Sequence, residues 1–382
     1  TCMRYEIFVT LWGKKFVKKF LDFALSSQLT PGNLPGLSKE AYILYRIYTD
    51  RASEPFFWPS LDRLSSHCDI EFIFYEDIPF KHGTLAEAMK HSVSKSVKHH
   101  VQQVTSQHHM ALAADKAETA VVLMDSDFIF SDGSLLHLHE QRLAGKQAYA
   151  GMFLRLLEEE AGPKLLQRLP EPLSGRELVT LARDHMHPRF RSMFADAKEP
   201  SSYPTQINWQ VGRKGFVTHC FFPHPLMVNV TPETLRYFST MDYEVLLRAA
   251  PSDDDIYFCR NSDDMLVCKM SPESYLSDMA VGPAPDLDIM AHFVIANTNI
   301  RHQLFMTSSV RYVAEEDHAA FSDVEKHSGA FVDAVYKTAE VLLSRRATYD
   351  PKIMVFMKSF LGPIENFISP QLHARMEDWL PK

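Results

Sequence analysis

Residues Thr119 to Met124 form an uncharged run rich in β-branched and apolar side chains, and it ends in Asp125, Ser126 and Asp127 before apolar residues resume at Phe128. A short run of this kind suits a strand covered on both faces, as the strands of a parallel sheet are. In an extended backbone residues i and i+2 point the same way, so Asp125 and Asp127 are placed to share one hard cation, with Ser126 directed away. Such a cation could in turn hold a diphosphate. The pattern D-x-D is short, and a solvated strand end or a helix cap is the competing explanation.

The neighbouring segments give the pattern its context. After the aspartates come a turn with Asp132 and Gly133, a short helix through Leu138, Gly145, and a second apolar strand from Ala148 to Leu154. Upstream, Tyr5–Thr10, Ile43–Asp50 and Ile70–Tyr75 read as three further strands. This order resembles the central part of the D-x-D-containing GT-A nucleotide-sugar glycosyltransferases of bacterial type. The resemblance implies an α/β fold: a GT-A-like mixed, mainly parallel sheet flanked by helices, with a helical C-terminal region. It divides the chain into a catalytic domain over residues 1–290, carrying a helical insertion at 156–204, and a helical region over 291–382.

The resemblance also implies a chemistry. Asp125 and Asp127 would bind Mn²⁺ or Mg²⁺ against the diphosphate of a nucleotide-sugar donor. A histidine from a late segment often completes such a metal shell, and His224, held between Pro223 and Pro225, is the candidate; a buried histidine bonded to a backbone carbonyl is the alternative. Thr10, Leu11, Thr49 and Asp50 stand at strand ends, where an open α/β sheet places its ligand crevice, and with Ser126 they are candidates for contacting the nucleotide. Lys95 is a candidate donor contact from the helix before the aspartate strand. Asp242 occupies roughly the place in the order from which inverting enzymes draw a base for the acceptor hydroxyl. The expected activity is sugar transfer to a glycan, a lipid-linked glycan or a protein. Two rivals stand beside it. One is a GT-A-like scaffold that binds a glycan or a partner without turnover. The other is a nucleotidyltransferase, disfavoured because Leu11 to Lys15 holds a single glycine where a triphosphate-cradling loop needs several.

Composition narrows the classes. The chain has 382 residues, 46% of them hydrophobic, enough for a packed core. A net charge of -8 argues against a general nucleic-acid binder. Five cysteines, with no C-x-x-C spacing, suggest reduced thiols and a cytoplasmic location. No apolar stretch reaches about 18 residues, so no transmembrane helix is expected, and the early first strand leaves no room for a secretory leader. Lys14, Lys15, Lys18 and Lys19 surround Phe16 and Phe20 in a basic amphipathic start to the first helix. It contacts the inner face of an anionic membrane peripherally, or Phe16, Phe20 and Phe23 face the sheet while the lysines are solvated, or, between these, one lysine lies near the nucleotide.

Several segments carry weaker signals. The histidines between His91 and His109 lie on a polar helix that reads as solvated, since adjacent histidines diverge too far to chelate one ion. Ser174 caps a helix with Glu177 three residues on. That helix ends near His187 and Arg189, which either meet a phosphate or sugar hydroxyl or merely complement the helix dipole. Trp209, in a strand-like run, could form an apolar wall under a sugar face. Asp253 to Asp255 read as a solvated turn, and Asp263 and Asp264 as the turn of a hairpin between Ile256–Cys259 and Met265–Cys268. Beyond 290 the chain reads as helices over 291–305, 319–345, 352–361 and 370–380. They would cover the catalytic domain, build an acceptor site or mediate homo-oligomer formation.

Overall fold

The computed structural model describes residues 2–80, 83–90, 97–114, 116, 118–231, 234, 243–275 and 280–344. The chain forms two compact units. The first takes Thr1–His185, His224–Cys259 and Asp263–Ser271; the second takes Met186–Pro223, Arg260–Ser262 and Pro272–Lys382.

The first unit is built on a seven-stranded sheet. Its strands in chain order are β1 (Arg4–Thr10), β2 (Tyr42–Thr49), β3 (Asp69–Phe74), β4 (Thr119–Leu123), β5 (Ala148–Gly151), β6 (His224–Asn229) and β7 (Ile256–Phe258). In space they run β7-β5-β6-β4-β1-β2-β3. Strands β4, β1, β2 and β3 are mutually parallel, β7 is parallel to β5, and β6 alone runs antiparallel to both its neighbours. The sheet is therefore mixed and mainly parallel, GT-A-like as expected. The composition of β4 explains its central place: all five residues from Thr119 to Leu123 are buried, as a strand covered on both faces requires.

Helices α1 (Lys14–Lys19), α2 (Val97–Ala114) and α3 (Ser134–Leu143) flank this sheet, and α4 (Gly175–Asp184) packs on Phe153–Leu157. The reading of α2 as solvated is corrected by its packing. Val101, Thr105, His109 and Ala113, four residues apart, are completely buried, and His109 stacks on Phe8 of β1 at 4.3 Å. A stripe of Thr and His at helical spacing looked polar in sequence, yet it buries because each polar group finds a partner. The N-terminal cap of α4 is as expected: Glu177 N donates to Ser174 Oγ and Ser174 N to Glu177 Oε2.

Two strand expectations need correction. The predicted strand 148–154 breaks at Met152 into β5 and Phe153–Leu157, which belong to different sheets. The predicted hairpin around Asp263 and Asp264 does not form: β7 pairs with β5, whereas Val267–Ser271 pairs in parallel with Phe153–Leu157. Each half found a better-matched apolar neighbour elsewhere.

The second unit contains a three-stranded antiparallel sheet of Gln206–Gln210, Gly215–Cys220 and Val310–Val313. Helices α5 (Leu287–Asn297) and α6 (His318–Ser344) pack together through Met290, Val294, Val332, Val335 and Ala339. The predicted helix 291–305 is interrupted at Thr298, whose backbone is extended, and resumes at His302–Thr307. Strand Val310–Val313 was not anticipated. The expected helices over 352–361 and 370–380 lie outside the described residues. Among the described residues no helix is long and apolar enough to cross a membrane, and all five cysteines are free.

Candidate functional site

In the first unit, strands β1, β2 and β3 step outward in one direction while β4 lies on the opposite side of β1. The strand order reverses between β1 and β4, and a ligand crevice is expected outside the carboxyl ends of the strands there. Register brings the relevant residues to that end. Phe8 aligns with Leu123 and Thr10 with Tyr48, so Thr10, Thr49 and Asp125 follow one another along the same sheet edge. Strand β6, being antiparallel, begins at this edge with His224, opposite Gly151 at the end of β5.

Asp125 and Asp127 leave β4 through a turn, closed by a bond from Phe128 N to Asp125 O at 3.2 Å, and the extended geometry expected for them is absent. Their carboxylates nevertheless face a common cation, the ammonium of Lys269. Lys269 Nζ lies 2.6 Å from Asp125 Oδ2 and 3.8 Å from Asp127 Oδ1. The side chains of Asp125, Asp127 and Lys269 are 29%, 27% and 14% exposed, so the group is sheltered but open to solvent. Phe128 and Phe153 wall the ammonium, their ring centroids 5.6 and 5.2 Å from Nζ.

The electrostatics follow from this packing. Burial pushes the Asp125 carboxyl up, but Lys269 outweighs it, helped by His224 and Arg155, and holds the group below the usual carboxylate range. For Asp127 burial prevails: Lys269 opposes it, the Asp125 charge adds to it, and the carboxyl is raised. Burial works against the Lys269 ammonium, yet the two aspartates keep it more basic than a free lysine. The site thus pairs an ionised acid with an acid that takes a proton more readily.

A divalent ion needs donors that converge. Asp125 and Asp127 are the right kind of oxygen ligand. His224 Nε2 donates to Leu123 O at 2.8 Å, which leaves Nδ1 with the lone pair and fixes the ring edge-on to Phe128. Burial lowers the pKa of this ring, so it stays neutral. Even so, no group of three or more His, Cys, Asp or Glu side chains among the described residues is disposed to hold a metal ion. The cation already against Asp125 is a lysine. The arrangement therefore does not supply the three-donor set expected for Mn²⁺ or Mg²⁺.

The other candidates divide. Thr10 Oγ1 bonds Thr105 Oγ1 at 2.8 Å. Leu11 is buried, with its N–H on Tyr48 O. Thr49 is buried, and its Oγ1 has no hydrogen-bond partner. Asp50 Oδ1 accepts Ser53 N at 2.9 Å. Ser126 is half-buried in the turn between the aspartates. Trp12 and Tyr75 meet beside Asp50, their centroids 5.0 Å apart, and the Tyr75 hydroxyl is pushed up by burial and by Asp50. In the second unit, His187 accepts Arg189 N on Nδ1 and donates from Nε2 to Pro272 O. The Arg189 guanidinium lies 5.1 Å over Tyr275. Trp209 is half-buried between His219 and Phe331. Lys95 and Asp242 lie outside the described residues.

Sequence reasoning missed Lys269, Arg155, Trp12 and Tyr75. The signal for Lys269 was present: it is the single charge in the otherwise uncharged stretch from Met265 to Ser271. A lysine in a buried strand needs a carboxylate partner. Arg155, between Leu154 and Leu156, carries the same signature.

No protein-family model matches this chain, and no curated protein matches it. Among solved structures, mouse xyloside xylosyltransferase 1 in its apo form is similar, with 14% identity over 44% of this chain and a TM-score of 0.28. The match spans 62% of that protein, less than two thirds of its length. A likeness this slight carries no argument, and the fold reading rests on strand order and register.

Proposed function

We propose that this protein is a glycosyltransferase that takes a sugar from a nucleotide-sugar donor and passes it to a hydroxyl of a glycan, a lipid or a protein. One observation carries the reading: an aspartate pair and a sheltered lysine meet at the carboxyl ends of parallel strands, at the point where the strand order reverses. The donor's base and ribose would lie along Leu11, Trp12, Asp50 and Tyr75, and its diphosphate toward Lys269. As the glycosidic bond breaks, negative charge accumulates on the departing diphosphate. An ammonium already fixed among aromatic walls stabilises that charge with little reorganisation. Asp242 remains the proposed base for the acceptor hydroxyl if the transfer inverts configuration.

Titration calorimetry with nucleoside diphosphates and sugar nucleotides, with and without Mn²⁺, tests the reading. We expect binding that is lost in Lys269→Ala, which removes the ammonium placed against the diphosphate. If no such ligand binds, or if binding ignores that variant, the reading fails. The incomplete metal shell favours a second reading, a scaffold that binds the donor without turnover. Slow release of free sugar from a bound donor would separate an enzyme from a scaffold.

A further inference from the structure

The start of α1 divides its aromatic residues between core and surface. Phe20 is buried and Phe23 is half-buried, but Phe16 is 62% exposed. Phe16 and Phe20 are one helical turn apart, and the Phe20 ring meets Phe57 with centroids 6.2 Å apart. On either side of Phe57 stand Phe56, 36% exposed, and Trp58, 58% exposed. Helix α1 packs on the turn Glu54–Phe57, and Gly13 N donates to Ser53 Oγ at 2.8 Å, so the two segments are fastened together. Three exposed aromatic rings thus stand on the two segments that the buried Phe20–Phe57 contact joins.

Lysines stand on the same helix as Phe16. Lys14, Lys15 and Lys18 are exposed; Lys18 pairs with Asp22 at 2.7 Å, and Lys19 reaches Glu158 at 2.8 Å. Lys14 and Lys15 have no acidic partner among the described residues. A chain with a net charge of -8 here combines unpaired positive charge with aromatic surface. Amphipathic aromatic rings partition to the boundary of a bilayer, and lysines beside them meet anionic headgroups.

We propose that the face formed by Phe16, Phe56 and Trp58 with Lys14, Lys15 and Lys18 docks on an anionic lipid bilayer. The rings enter the headgroup boundary and the lysines lie over lipid phosphates. A second copy of the chain is a poorer occupant, because two-fold pairing of this face would set lysines against lysines. The proposal stands apart from the donor site and does not depend on it.

Vesicle flotation of the full chain tests it, with phosphatidylcholine vesicles compared with vesicles that also contain phosphatidylglycerol. The protein is expected to float with the anionic vesicles only, and less so as salt rises. Combining Phe16→Ser with Trp58→Ser, or Lys14→Glu with Lys15→Glu, should weaken binding by about tenfold or more. All four residues are exposed, so both pairs are expected to retain the wild-type circular dichroism and nucleoside diphosphate binding. The proposal is overturned by failure to float, by equal binding to both vesicle types, or by variants that float like the wild type. It is also overturned if the face proves to be a dimer contact, seen as concentration-dependent association that Phe16→Ser with Trp58→Ser abolishes.

Discussion

Two charged clusters lie in the first unit, one across β1, β2 and β3 and the other where the turn after β4 meets Lys269 of Val267–Ser271, and they are built on opposite principles. In the first, Glu6 of β1 is fully buried, with one carboxylate oxygen on Arg4 and the other on Arg46 of β2. Arg46 reaches on to Glu71 of β3 at 2.9 Å and to His109 Nδ1 at 3.4 Å, while His109 Nε2 donates to Glu6 O at 3.2 Å. Two acids face two guanidiniums, and each named group has a partner. In the second, two acids face one ammonium, and the side chains remain about a quarter open. Closed and matched charge holds strands together; open and unmatched charge leaves capacity for a ligand.

Breaking the matched cluster should have the largest effect. Glu6→Ala strands two guanidiniums beside a buried vacancy and is expected to cost about 3–5 kcal/mol, read from the urea midpoint. Asp125→Ala should cost only about 1–2 kcal/mol, because Lys269 keeps Asp127 nearby and some solvent, and nucleoside diphosphate binding should persist, since the ammonium is left free to meet the diphosphate. If the two variants destabilise equally, the contrast between the clusters is wrong.

Lys269→Met sharpens the same contrast. Removing a positive charge beside Asp125 frees both carboxylates, so the affinity of the ligand-free protein for Mn²⁺ should rise by about tenfold or more. Lys269→Arg keeps the charge and should leave that affinity low. Direct Mn²⁺ titration followed by electron paramagnetic resonance measures both. An unchanged affinity in Lys269→Met would mean that the lysine does not compete for the pair.

The clusters also differed in how far the sequence disclosed them. Strands β1 to β4 were legible because each is a short apolar run closed by polar residues, and the burial of Val121 and Val122 on β4 follows from that pattern. The placement of Asp125 and Asp127 at a crevice was legible for the same reason. Their partner was not, because Lys269 lies 144 positions from Asp125 and the pairing depends on Val267–Ser271 choosing Phe153–Leu157 as its neighbour. Local spacing holds no information about such a choice. His109 was misread for a related reason: a histidine on a helix looks solvent-facing until the two strands that supply Glu6 O and Arg46 are in place.

That buried histidine gives the matched cluster a pH limit. Burial, then the Arg46 charge, holds the His109 pKa well below the ordinary value, so the ring is neutral when folded. The unfolded chain takes up the proton first as pH falls below about 6.5, and stability is lost from there downward. Asp125 behaves differently. Its folded pKa is depressed, so its contribution is present above the unfolded value of about 3.9 and is lost only as pH falls below that. Urea midpoints at several pH values for wild type and His109→Asn should therefore diverge between about pH 6.5 and 5, the wild type having the steeper fall. Parallel curves would show that the His109 proton is not linked to folding.

The smallest expected effect lies at the crevice edge, where two threonines one strand apart differ as the clusters do. Thr10 Oγ1 is paired with Thr105 Oγ1, whereas Thr49 Oγ1 is buried without a hydrogen-bond partner. Thr10→Val breaks that bond while the Thr105 hydroxyl keeps Val101 O at 2.9 Å, and should cost about 0.5–1 kcal/mol. Thr49→Val replaces an unsatisfied hydroxyl with a methyl of nearly the same shape, so its stability should be unchanged or rise by a few tenths of a kcal/mol. Thermal melts of the two variants compare them directly. A loss at Thr49 equal to that at Thr10 would mean that its hydroxyl is satisfied in solution, by water or by a moved neighbour, and that this end of β2 holds no spare donor for a ligand.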